Sequence, residues 1–262
     1  MEISIYSVLL WLTAILIASL DAIIFLGSRS LSSRVFAFST FLVALWSAAQ
    51  GFFIVFDTPT IPLFLVTLQH FLGIIISLGF LYFSLIYPTD EKPQRNTLLI
   101  LFLTLIGFLF FVLLFFTDLI LSGLFLVGGI QRWGWSFGPL QHLYATTFYL
   151  LWIFVLVNIY RNVKRVQNNA QRTNLKYMSW GLTFGIIPPS VLNILLPGLG
   201  YYSPNWIGPI ASAVWVYIIG YSIVRHRQMN VRAFTAEVLV VSLAVLMFVN
   251  IFTNVPLGLY GR

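Results

Sequence analysis

The sequence contains no cysteine, which removes disulfide frameworks, thiolate zinc sites and dithiol redox chemistry at once. Charge is nearly as scarce. Asp, Glu, Lys and Arg together make up 8% of the 262 residues, about a third of the share with which a soluble domain faces water. Three histidines and no HExxH spacing supply a metal centre poorly, so neither a metal nor a cofactor is expected. Each lysine (Lys92, Lys164, Lys176) lies in or beside a polar link, which excludes a Schiff base buried mid-helix. Asp21 is the one deep carboxylate, and a single carboxyl cannot make an acid–base pair. It is read as an interfacial residue that reaches water or pairs with Arg29 or Arg34. No enzymatic activity is expected.

What the chain does have is apolar length. Hydrophobic residues make up 60% of it, 25 of them phenylalanine. A spanning helix needs about 20 mainly apolar residues, because only internally hydrogen-bonded backbone survives in hydrocarbon. Seven stretches qualify: Ile3–Leu26, Val35–Phe56, Leu63–Tyr87, Thr97–Phe116, Leu140–Tyr160, Leu175–Leu196 and Ile207–Val224. An eighth, Val238–Phe252, reaches full length only by running on through Asn254 towards Leu259. The expected fold is therefore an all-α integral membrane protein. It comprises a seven-helix domain over residues 1–232 and an eighth span with a short tail over 233–262. Met1–Tyr6 has no basic residue and carries Glu2, so the first span reads as a retained helix rather than a cleaved signal.

The breakers sit between these stretches. Asp57–Pro62, Tyr87–Pro93 and Pro197–Trp206 are turn-rich links, and Leu119–Ile130 reads as a loop with an interfacial segment. Pro188 and Pro189 fall inside the sixth span, where missing backbone donors predict a kink. The stretch Arg161–Asn174 reads as a helical extension of the fifth span.

Lysine and arginine counts orient the bundle. Arg29 and Arg34 follow the first span, and Lys92 and Arg95 the third. Arg161, Lys164, Arg165, Arg172 and Lys176 follow the fifth, and Arg225, Arg227 and Arg232 the seventh. The other links and the two ends hold only Arg132 and Arg262. This asymmetry places the N-terminus outside and assigns the net charge of +7 to the cytoplasmic membrane surface, not to nucleic acid.

A few polar residues remain within the spans. Trp46 and Gln50 share a face of the second span, since residues four apart are helix neighbours. Gln69 and His70 lie about 10 Å below the outer surface of the third span at 1.5 Å per residue. Asn193 and His142 lie at similar or shallower depth. Together they form either an outward-opening polar pocket, closed by the aromatic Trp133–Phe137 and Tyr201–Trp206 segments, or a set of interhelical hydrogen bonds. Tyr87, Trp135, Tyr160, Tyr177 and Trp206 read as interfacial belts. The small residues Ala14, Ala18, Ala22, Gly181 and Gly185 read as close-packing positions within the bundle.

One segment carries more than composition. Tyr221–Arg232 (YSIVRHRQMNVR) resembles the exit of the last helix in the N-terminal seven-transmembrane region of bacterial sensor histidine kinases. Asn230 stands where that family usually has Asp. Trp46, Leu81–Pro88 (LYFSLIYP) and Leu175–Gly185 (LKYMSWGLTFG) agree with it. The resemblance implies a sensory input module in the inner membrane of a prokaryote, signalling to a cytoplasmic kinase or other effector. Arg161, Lys164, Arg165, Arg225, His226, Arg227 and Arg232 would then form its cytoplasmic output face. The lipid bilayer and a second copy of the chain complete the expected partners. After Arg232 there is no phosphoacceptor-His box and no glycine-rich ATP lid. Alternatives are a small-molecule transporter, for which Pro188–Pro189 and the mid-depth polar residues speak, and a structural membrane subunit.

Overall fold

The computed structural model describes residues 4–28, 30–87, 96–127 and 132–226. Helix α1 (Ile5–Gly27) begins where the Ser4 hydroxyl accepts from the Ser7 amide, satisfying one of the amides a helix start leaves unpaired. Helix α2 (Leu31–Val55) begins with the same device, Ser30 accepting from Ser33. That cap explains why α2 starts four residues earlier than its apolar run. Helices α3 (Thr60–Ile86) and α4 (Asn96–Phe115) follow.

A departure from the expected fold comes next. Within Leu119–Ile130, read as a loop with an interfacial segment, Leu121–Leu126 is a strand: β1 (Leu121–Leu126) pairs antiparallel with β2 (Trp133–Phe137), with an irregularity between Leu121 and Gly123. Gly123 sits at φ 155°, within the region that favours glycine. The strands have almost no polar alternation to announce them, and Trp133, Gly134 and Trp135 are buried in succession rather than on alternate faces. Six residues of extended chain also satisfy their backbone donors by pairing, without crossing the bilayer.

Helix α5 (Gln141–Arg165) extends past its apolar part, but only to Arg165. The chain then breaks over Val166–Asn168 and restarts as α6 (Asn169–Ser190), so Arg161–Asn174 is not one continuous extension. Pro188 and Pro189 close α6, and the chain continues as a π turn, Val191–Leu195, and one last helical turn, Leu196–Gly198. Two successive prolines leave two carbonyls in the preceding turn without their usual amide donors. A wider i→i+5 turn follows, as is common for local helix irregularity near functional sites. After a 3₁₀ turn, Ser203–Trp206, helix α7 (Ile207–His226) completes the described chain.

Six helices, α1 to α6, are long and apolar enough among the described residues to cross a membrane. The packing has a clear order. Helix α1 lies on α2, α2 on α3, α3 on α5, α5 on α6, α6 on α7 and α7 back on α1. That sequence closes a ring, and α4 stands outside it against α3. Position in the ring decides what each helix shows. Leu98, Leu101, Leu105 and Phe108 of α4 are exposed, as suits a helix whose solvent is lipid rather than water. The α6–α7 seam is tight because Gly185 presents no Cβ: one would collide with the Trp215 ring. Ala14 is buried in the α1 seam, whereas Ala22 is exposed. The segment Val238–Phe252, Arg227 and Arg232 lie outside the described residues, and α7 carries Arg225 and His226 in its last turn.

Candidate functional site

The ring encloses one cavity of note, between α2, α3, α5, α6 and α7, near the end where α1 begins. Tyr6 of α1 and Trp206 at the start of α7 meet there with ring centroids 4.7 Å apart. Trp46, Gln69, His70, Trp152, Asn193 and Trp215 are on its wall. About 70 Å³ is open to the centre of a water-sized sphere, several times the 10–15 Å³ that one water needs.

Each wall residue is held by an identifiable contact. His70, 7% exposed, donates from Nδ1 to the Val66 carbonyl at 2.8 Å. A carbonyl only accepts, so the proton is on Nδ1 and Nε2 is the ring's remaining polar atom. Tyr144 of α5 donates to the His70 carbonyl at 2.9 Å. It reaches that far because α3 has glycine at 73, where a Cβ would stand 2.9 Å from the Tyr144 hydroxyl. The His70 ring meets Tyr144 at 5.3 Å and Trp135 at 5.8 Å between centroids. Asn193 belongs to the π turn that follows the two prolines, so the irregular part of α6 itself forms wall.

The hairpin is the cover. Trp135, 2% exposed, lies over the cavity and is fixed from several sides. Tyr202 donates to its carbonyl at 2.7 Å and packs its ring at 5.0 Å, while Phe53 of α2 meets it edge-on at 5.9 Å. Trp133 donates to the Phe56 carbonyl at 3.1 Å. Arg132 pairs with Asp57 in the α2–α3 link at 2.7 Å, and this hydrogen bond holds the exposed Asp57 carboxyl below its usual range. The cover is thus tied to α2, to the α2–α3 link and to the α6–α7 link.

Of the residues singled out from sequence, the structure brings Trp46, Gln69, His70, Pro189 and Asn193 to one cavity. Gln50 is not on the wall, although it is fully buried at 0% exposure with no hydrogen-bond partner for either amide atom among the described residues. His142 points away and is exposed: it is one residue beyond the buried Gln141, and a single step turns a helix by about 100°. Two residues assigned to interfacial belts belong inside. Trp135 roofs the cavity, and Tyr87 is buried, with Asn162 donating to its carbonyl at 2.8 Å. Tyr160 and Tyr177 are exposed. Tyr144, Phe148 and Trp152, four apart on α5, also form wall, and their spacing was a signal that a helical-face reading finds. Asn205, in the 3₁₀ turn, is buried with both side-chain amide atoms unpartnered among the described residues.

A helical membrane bundle with a roofed internal cavity is what the geometry defines. The chain belongs to the family of the N-terminal 7TM region of histidine kinases, whose profile matches residues 9–232. No curated protein matches it.

Proposed function

We propose that the protein is the signal-input module of a histidine-kinase system. It sits in the plasma membrane of a prokaryote with α1–α7 as seven spans and the N-terminus outside, and it carries no catalytic activity of its own. The cavity is its ligand site. Occupancy would bear on the π turn through Asn193 and on the roof through Trp135, and the broken part of α6 would pass the change towards the other membrane face. There the Arg161, Lys164 and Arg165 turn of α5, with Arg225 and His226 in the last turn of α7 and Arg227 and Arg232 after them in sequence, would meet a kinase or other effector. Family membership does not favour the transporter or structural-subunit alternatives.

The observation that carries the reading is the convergence of His70, Gln69, Asn193 and three indole rings on one roofed space beside a helix break. Its wall also supports one ligand class. The wall has aromatic rings and neutral polar groups but no Asp, Glu, Lys or Arg. A charged ligand would lose its hydration with no counter-charge to replace it. The ligand is therefore an uncharged, ring-bearing small molecule with at least one hydrogen-bonding oxygen or nitrogen. Calorimetric titration of the protein in lipid discs with acetophenone, benzoate and benzylamine tests this, with empty discs as the blank for partition into lipid. Acetophenone should bind in preference to the other two, and an Ile186→Trp variant, which fills the wall, should abolish the heat. Equal binding of the charged probes, or no difference between the filled variant and wild type, would sink the assignment.

A further inference from the structure

Asp21 does not reach water. It is 4% exposed, and its carboxyl meets the Thr40 hydroxyl of α2. Arg34 is not its partner: the guanidinium stands 5.8 Å over the Phe25 ring, and Arg29 lies outside the described residues. Six residues separate Asp21 from the end of α1, so it sits about 9 Å inside the bundle at 1.5 Å per residue. This is the end opposite the cavity. Three helices meet around it. Gly220 of α7 lies against Leu20 and Ile24 of α1, and Thr40 approaches from α2.

The hydrogen-bond partners at this junction bear on its protonation state. The Thr40 hydroxyl has three acceptors in reach: the Asp21 Oδ1, the Phe36 carbonyl at 2.9 Å and the Ala37 carbonyl at 3.3 Å. It has one hydrogen, and a threonine inside a helix ordinarily gives it to the carbonyl four residues back. Shared among three acceptors, that one hydrogen gives the carboxyl a weak partner. The other oxygen, Oδ2, has no partner among the described residues. Tyr217 of α7 is the titratable group within electrostatic reach, and its hydroxyl donates instead to the Leu16 carbonyl at 3.0 Å. Arg34, whose side chain is described at this end, does not face the carboxyl. An ionised Asp21 would be a buried charge without a counter-charge, which is strongly destabilising.

We infer that Asp21 is a proton-binding site at the α1–α2–α7 junction, occupied in this packing, its carboxyl bonded to Thr40. Loss of the proton places an uncompensated charge between the three helices and loosens the seat of α7 on α1. The inference is independent of the cavity and of what fills it. The ligand is the proton, and the site responds to pH on the membrane face opposite the cavity.

The test is infrared spectroscopy and unfolding of the full chain in lipid discs, for wild type and Asp21→Asn. Asparagine keeps the shape and cannot ionise. At neutral pH wild type should show the carbonyl stretch of a neutral carboxylic acid, sensitive to deuterium exchange and missing in the variant. A Thr40→Val variant should move that band to higher frequency by removing the bonded partner. Raising the pH should lower the folded-to-unfolded ratio of wild type by up to tenfold per pH unit, one proton's worth of linkage, while Asp21→Asn lacks that component. The site is overturned if the band is absent from wild type or persists in Asp21→Asn, or if the two proteins share one profile of stability from the ordinary carboxyl range upward. Should Asp21→Asn not fold, the Thr40→Val shift decides, and an unmoved band contradicts the inference.

Discussion

At the residue scale, the same side chain means different things at different depths and faces, and Lys substitution separates them. His70 is enclosed by Trp135 and Tyr144, so a lysine there has no route to water. Lysine at the centre of a span costs about 2.5–3.5 kcal/mol on insertion scales. Leu99, in the first turn of α4 and half-buried, is close enough to a helix end for a lysine to snorkel. We expect His70→Lys to lower the thermal midpoint in lipid discs by several degrees or to prevent accumulation, and Leu99→Lys to stay near wild type. Equal mild effects at both positions would mean that His70 is not enclosed. Residue-scale legibility from sequence was uneven. Depth could be counted along a span, and Trp46, Gln69, His70 and Asn193 were found that way. Which way a residue faces could not. Gln50 is one turn from Trp46 yet off the cavity wall, and His142 is exposed beside a buried neighbour. Aromatic identity misled in the same manner: Trp135 and Tyr87 have the composition of a belt and the burial of a core.

At the element scale, the helices were largely legible because the requirement of about 20 apolar residues leaves few choices. Their ends moved where local chemistry intervened, as at the Ser30 cap of α2 and the break after Arg165. The hairpin was not legible. Its strands are short, apolar and without alternation, and their pairing joins residues on either side of a link. The turns between elements also carry the topology. The α2–α3 link and the α6–α7 link belong to the cavity end, and the α5–α6 break to the other. In this cysteine-free chain, single cysteines at Thr60 and Tyr201 should react with an impermeant maleimide in intact cells. A cysteine at Asn168 should react only after permeabilisation. Labelling of Asn168 in intact cells would reverse the proposed orientation.

At the scale of the whole molecule, the closed ring of six helices gives the protein two distinct ends, and the polar groups divide between them. One end holds the roofed cavity. The other holds Asp21 and the cationic turns. Burial of Asp21 depends on α1 meeting α7, a contact between residues 201 positions apart in Leu16 and Tyr217. No reading of the first span by itself yields it. Between the two ends run α5 and α6, packed on each other, the second of them interrupted beside the cavity. A sensor differs from a binding protein only if the ligand favours one arrangement of the far end over another.

That difference is measurable between Lys164 of α5 and Tyr177 of α6, both exposed and both on the side away from the cavity. Spin labels at these two positions, in the protein in lipid discs, report their separation by pulsed electron resonance with and without saturating acetophenone. A signal-input role predicts a shift in the distance distribution on adding the probe and none in the cavity-filled Ile186→Trp variant. Acetophenone bound in the cavity with the Lys164–Tyr177 distribution unchanged would contradict it.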